Sequence, residues 1–320
     1  MKESEIRPKK IFERYYELCL KDARSMNVDL FVEILCPGCS SNSKRFKFRK
    51  NGFQYVQCKD CGSLYCSPRP NKLVLDKYYE NSESASYWTH VLFPAVAEAR
   101  REKLFRKKAL EIRKYLSVNG GKDEISICDV GAGYGIFLEE LQKVFPASTP
   151  CAIEPCIEHA EICRGKGIST LVGLAEDANE WEDCFDLVIS SEVIEHVFSP
   201  DEFVMSLYDL VKPGGTAIMT GLGYEGFDIL ILQEESNGII PPQHINFLSL
   251  AGFEDLFDKA GFKQIDVLTP GVLDVDIVMN SGSVPEFLQV MSKRQNALSE
   301  FQSFLNKHNM SSHVWVIGIK

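Results

Sequence analysis

Three sets of residues in this 320-residue chain have the types and spacing to do chemistry. Cys36-Pro-Gly-Cys39 and Cys58-Lys-Asp-Cys61 are C-x2-C pairs with 18 residues between them. Thiolates presented on two tight turns can share one tetrahedral ion, and four of them leave no open position, so zinc held there would be structural. A chance set of buried thiols is the alternative, and Cys66, a fifth thiol nearby, reads as packed. The second set is Ile125-Ser-Ile-Cys-Asp-Val-Gly-Ala-Gly-Tyr-Gly135, where an apolar run ends at Asp129 and meets Gly131, Gly133 and Gly135. This reads as a buried strand, a turn that lets backbone approach a ligand, and a helix start with free N–H donors. The spacing is G-x-G-x-G, with Ile136 where the dinucleotide fingerprint has its last glycine. A carboxylate before the first glycine suits an ammonium group better than a pyrophosphate. The third set surrounds His244 in Pro241-Pro-Gln-His-Ile-Asn-Phe-Leu-Ser249. An imidazole titrates near neutral pH and can serve as a general base, or it can simply bond a carbonyl.

These groups need elements to hold them. Between the cysteine pairs, Phe46, Phe48, Phe53, Tyr55 and Val56 alternate with polar residues around Asn51-Gly52, the strongest short hairpin signal. The unit 31–70 reads as a zinc ribbon, too small to fold on apolar burial alone and so dependent on its metal. Residues 1–30 read as a short amphipathic helix without chemistry. Residues 71–120 read as an aromatic connector with Tyr78 and Tyr79, then a helix over 95–118 that is basic on one face and ends at Asn119-Gly120-Gly121. From 125 onward strands and helices alternate, which predicts an α/β doubly wound, mostly parallel sheet. Its fourth strand, Phe185–Ser190, runs into Ser191-Glu-Val-Ile-Glu-His196. Lys212-Pro-Gly-Gly215 reads as the turn before a fifth strand, Thr216–Thr220. His196 reads as a satisfied histidine at a helix end.

Composition narrows the class. Hydrophobic content of 45% and charged content of 25% are ordinary for a globular protein. No apolar run approaches the roughly 20 residues needed to span a bilayer. The N-terminus lacks signal-peptide character, so the expected location is cytoplasmic and paired cysteines there favour metal over disulfide. The net charge of −10 is uneven: 1–120 carries 24 Lys and Arg against 14 Asp and Glu, and 121–320 carries 11 against 31. The basic third could meet an anionic substrate or dock on the acidic remainder of its own chain.

Over 125–220 the pieces resemble, in order and spacing, the class I S-adenosylmethionine (SAM) methyltransferases. The resemblance implies a Rossmann-like fold with SAM as cofactor. It places Asp129, Gly131, Ala132, Gly133 and Gly135 beside the methionine portion, with Asp129 toward its amino group. Glu154 matches the acid that accepts both ribose hydroxyls, although it could instead cap the helix that follows it. Ala175, Glu176 and Asp177 match the segment bounding adenine, and Ser191 and Glu192 the segment closing the pocket.

A thiolate ribbon, the exit Ser67-Pro-Arg-Pro70, a tyrosine-rich connector and the His244 segment together resemble the zinc-containing sugar C-methyltransferases. The organisation expected is an N-terminal helix (1–30), a ribbon (31–70) holding zinc on Cys36, Cys39, Cys58 and Cys61, a connector and basic helix (71–120), and a SAM-binding domain (121–320) with a substrate insert (221–248). The resemblance implies His244 as base, Tyr78 or Tyr79 as supporting proton carrier, and a small polar substrate such as a nucleotide-linked sugar. Gln243 stands where that group commonly has an acid. One alternative is an RNA methyltransferase gripping through Lys44, Arg45, Lys47, Arg49 and Lys50 with Phe46 and Phe48, against which the −20 balance of 121–320 argues. Another is a SAM-binding or zinc scaffold without catalysis.

Overall fold

The computed structural model describes residues 2–118 and 124–320, so the expected helix stop at Asn119-Gly120-Gly121 lies outside the described residues. The ribbon hairpin forms: β1 (Lys44–Lys50) pairs antiparallel with β2 (Phe53–Cys58), and β2 with β3 (Leu64–Cys66). Asn51 and Gly52, at φ 51° and 88°, supply the two left-handed residues of a type I′ turn.

The core sheet contains β4 (Ser126–Val130), β5 (Thr149–Glu154), β6 (Ser169–Val172), β7 (Phe185–Ser191) and β8 (Val211–Leu222). After β9 (Asn246–Phe247) come β10 (Lys263–Leu268) and β11 (His313–Ile319). The core order is β10-β11-β8-β7-β4-β5-β6, parallel from β8 to β6, with β11 antiparallel to both of its neighbours. Central strands covered on both faces read as near-continuous apolar runs, as Leu187-Val188-Ile189 does in β7. Lys212–Gly215 does not precede the fifth strand but lies within β8 as an irregularity between Val211 and Thr216.

Helices α1 (Lys9–Ser25), α2 (Lys72–Asn81) and α3 (83–118) precede the core. Within α3, Trp88–Leu92 and Arg101–Phe105 are π-helical, a departure frequent at functional sites. In the core lie α4 (Ile136–Val144), α5 (Ile157–Gly165), α6 (Pro200–Leu210), α7 (Phe227–Leu232) and α8 (Leu250–Ala260). Ala109 and Ile112 of α3 and Leu138 and Leu141 of α4 cover one face of the sheet. Phe203 and Leu207 of α6 and Phe253 and Phe257 of α8 cover the other. Ser249 caps α8, accepting from Gly252 N–H at 3.0 Å, and Gly261 at φ 106° ends it.

The ribbon does not stand alone. β9, from the far side of the chain, adds to its edge as the sheet β9-β3-β2-β1. Phe53, Tyr55 and Leu64 share a buried cluster with Tyr78, Ile229, Ile245 and Phe247. Each such fully buried side chain contributes about 1.5–3 kcal/mol, so apolar burial supplements whatever a metal provides. The basic third also docks on the acidic remainder: Arg101 meets Glu139 at 2.8 Å and buried Glu140 at 3.0 Å.

Candidate functional site

In an open parallel sheet, ligands bind at the carboxyl ends of the strands where the order reverses, here between β4 and β7. The glycine turn follows β4, with Gly131, Gly133 and Gly135 at φ 78°, 54° and 69°. A Cβ on Gly131 would strike Val193 Cγ2 at 2.6 Å, and one on Gly135 would strike Ile168 Cδ1 at 2.9 Å. One on Gly133 would meet nothing within 4 Å among the described residues. The outer two glycines close the turn, and the middle one leaves room above it.

Asp129, the penultimate residue of β4, is almost fully buried, and its Oδ1 has no hydrogen-bond partner among the described residues. Burial, then the neighbouring Glu154, pushes its carboxyl up to about 7. A buried acid with an orphaned oxygen fits a cationic ligand group. Glu154, ending β5, accepts from Gly133 N–H (2.7 Å) and Cys156 N–H (2.9 Å), tying the glycine turn to the start of α5. Capping is therefore one of its functions; each oxygen keeps a second lone pair, so a ribose diol also fits. Ala175 and Glu176 lie in the 3-10 turn Ala175–Asp177 beyond β6, Ala175 buried and Glu176 exposed.

After β7 the backbone turns sharply, and Glu192 takes φ 58°, strained for a residue with a side chain. Its Oε1 receives Thr220 Oγ1 (2.9 Å) and the ammonium of Lys108 (3.1 Å), with His313 Nδ1 at 3.4 Å. Lys108 is buried and also donates to Ser191 Oγ (3.0 Å) and Thr220 Oγ1 (3.1 Å). Burial would raise Glu192, but His313, Lys108 and these hydrogen bonds outweigh it and hold the carboxylate ionised. Lys108 is among the residues missed from sequence: the basic run on α3 reads as a solvated face, and only three-dimensional burial singles it out.

The other wall is the insert. His244 Nδ1 lies 2.6 Å from the carbonyl of Gly238, and a carbonyl only accepts, so Nδ1 carries the proton and Nε2 keeps its lone pair. Burial lowers His244 below the ordinary histidine value. The ring of His196 packs edge-on against it at 4.8 Å, pushed down to about 3 by burial and then by His244. Tyr79 OH lies 3.0 Å from His196 Nδ1 and 3.4 Å from the Gln243 carbonyl. Tyr79, His196 and His244 thus form one group. Tyr78 points elsewhere, its hydroxyl held by Ser84 Oγ (2.8 Å) and Gln243 Nε2 (2.8 Å). Tyr15 of α1, which the sequence reading left without chemistry, donates to Gln243 Oε1.

The sulfur atoms of Cys36, Cys39, Cys58 and Cys61 all lie within 4.8 Å of one another. The Cys36–Cys61 and Cys39–Cys58 separations are 3.5 and 3.6 Å, far beyond a disulfide bond. Tetrahedral zinc at about 2.3 Å from each sulfur separates sulfurs by roughly 3.8 Å, so the four fit that ion. Among the described residues, no helix is long and apolar enough to cross a membrane.

The strand order and the crevice are those of the class I methyltransferase fold. The chain belongs to the family described as "Methyltransferase domain" (Methyltransf_23), whose model matches residues 97–267. It is 31% identical over 130 residues to the mitochondrial ubiquinone biosynthesis O-methyltransferase of Rattus norvegicus, covering 37% of this chain and 37% of that protein. It is 29% identical over 171 residues to the ubiquinone biosynthesis O-methyltransferase of Colwellia psychrerythraea, covering 49% of this chain and 68% of that protein. The fold is similar to the plantazolicin methyltransferase BpumL (TM-score 0.52, 16% identity, 77% of this chain and 94% of that one). It is also similar to Haemonchus contortus phosphoethanolamine N-methyltransferase 2 (TM-score 0.51, 16% identity, 83% and 64%).

Proposed function

We propose that this enzyme methylates a small polar metabolite, a nucleotide-linked sugar, with His244 as general base. When bound, SAM supplies a methyl group made electrophilic by its sulfonium. The chain's residues do the rest. Asp129 receives the cofactor's amino group, Gly131, Ala132, Gly133 and Gly135 give it room, Glu154 accepts its ribose hydroxyls, and Ala175 and Glu176 border its adenine. Ser191 and Glu192 close the methionine end. His244 Nε2 takes the acceptor's proton as the methyl group arrives, and Tyr79 orients the histidine pair through His196. In-line positioning and one proton acceptor suffice for such a transfer. Cys36, Cys39, Cys58 and Cys61 hold a structural zinc.

The observation that carries the reading is the tautomer of His244, whose protonated Nδ1 on Gly238 leaves Nε2 a lone pair in a buried setting. The test is turnover of His244→Ala with a product-forming acceptor: loss of at least a hundredfold supports the base, and full turnover removes it. A second reading, transfer to oxygen, is favoured by the relatives named as ubiquinone biosynthesis O-methyltransferases. The same base serves a hydroxyl, and regiochemical analysis of the product separates the two.

A further inference from the structure

Four consecutive residues of the insert are each held by a different part of the N-terminal third. The Gln243 side chain receives Tyr15 of α1 and donates to Tyr78 of α2. The His244 carbonyl receives the Tyr55 hydroxyl of β2 at 2.6 Å, and the Ile245 carbonyl receives Cys66 N–H of β3 at 2.9 Å. Asn246 Oδ1 receives Arg69 Nη2 at 2.9 Å. Arg69 is fully buried and also donates to the carbonyls of Cys66 and Phe198. Asn246 Nδ2 in turn donates to the carbonyls of Ile194 and Val197, fastening the insert to the loop that bears His196.

The cysteine cluster joins this network through one strand. Tyr65 packs, fully buried, among Cys36, Val56 and Cys58, and its backbone pairs with Asn246 across the β3–β9 ladder. From the cluster to the residue two positions past His244 is therefore one strand-to-strand step. Nothing in catalysis requires a ribbon here, but a base needs its ring held to within a few tenths of an ångström, and rigid elements hold rings better than loops do.

We propose that Tyr55 and Arg69 are positioning residues for His244: the ribbon, organised by its cysteine cluster, is the template on which the insert strand is laid so that the imidazole keeps its Nδ1–Gly238 bond. The proposal rests on the reading of His244 as the base. Tyr55 bonds the carbonyl of His244 itself, so it is the sensitive point.

The test is 15N NMR of the histidine rings in the 320-residue, zinc-loaded chain, with SAM affinity measured alongside by calorimetry. In the wild type, His244 should show a protonated Nδ1 in slow exchange. Tyr55→Phe should average the two tautomers and speed exchange at His244, while the His313 signal holds and the SAM dissociation constant changes less than twofold. Chelating the metal from the wild-type chain should reproduce the His244 change. The exposed Phe46→Ala control should leave every histidine signal unchanged. An unaltered His244 signal in both Tyr55→Phe and the chelated chain overturns the proposal. So does loss of SAM binding in both, because the ribbon would then be a general stabiliser. Because this readout needs no acceptor, it separates from the base assignment, which fails only if His244→Ala keeps its turnover.

Discussion

The ammonium of Lys108 lies 3.1 Å from Oε1 of Glu192, so α3 is bolted to the strained residue that follows β7. Three acceptors satisfy this buried lysine, and removing it leaves the Glu192 carboxylate, among the described residues, with Thr220 and His313. Lys108→Met should lower stability by about 1–3 kcal/mol, the usual cost of losing a charged hydrogen-bond partner from a partly buried carboxylate. Adding Glu192→Gln should recover part of that loss, because the two residues share one network. Thermal unfolding of the two single variants and the double variant checks the prediction.

Asp129 should make SAM binding depend on pH. Its carboxyl is raised to about 7 in the unliganded fold, and a cationic amino group prefers it ionised. The sign follows from linkage: binding releases a proton, so affinity weakens as pH falls below about 7. Calorimetry at pH 7.5 and pH 6 should show a drop of roughly five- to tenfold, since ionisation changes about tenfold per pH unit below the pKa. Asp129→Asn should bind more weakly and lose this dependence.

How much of this was legible in the chain depends on how local the signal is. The glycine turn could be read because three left-handed residues demand glycine, and the hairpin because Asn51-Gly52 fits only a type I′ turn. The cysteine cluster could be read because a tetrahedral ion fixes the spacing of its ligands. Lys108 was hidden, since one buried lysine in a basic helix looks like its exposed neighbours. Tyr15 and Gln243 were hidden because their bond links residues 228 positions apart. Tyr78 and Tyr79 are adjacent, and only the helical geometry of α2 turns one into the packing and the other toward His196. The irregular stretch of β8 was read as a turn because Pro213, Gly214 and Gly215 carry turn chemistry even inside a strand.

The depressed titration of His244 sets the acid limb of turnover. Burial lowers it below 6.5, so the imidazole is neutral, and competent as a base, throughout the neutral range. The profile of kcat/KM against pH should therefore rise through a midpoint below 6.5 and stay flat near pH 7, once the Asp129-linked dependence of cofactor binding is removed by saturating SAM. Stability follows the same sign: a histidine with a lowered folded pKa is uncharged in the native state, so stability is full above the unfolded value near 6.5 and is lost as pH falls from there through the lower folded value.

Replacing one thiolate should uncouple the ribbon. Cys58→Ser should reduce bound zinc well below one equivalent by elemental analysis. It should also cost several kcal/mol of stability, less than a lone ribbon would lose, because Tyr55, Leu64 and Phe247 remain buried against the core. A variant with full zinc content and unchanged melting would remove the four-cysteine site from the account.

The central claim, methyl transfer to a small polar metabolite through His244, is tested most directly by mass spectrometry of a nucleotide-sugar panel incubated with the enzyme and SAM. One member should gain the mass of a methylene group, with an equal amount of demethylated cofactor. His244→Ala should abolish that gain while still binding SAM. A panel that gains nothing, with an RNA or a non-sugar acceptor methylated at undiminished rate by His244→Ala, would contradict it.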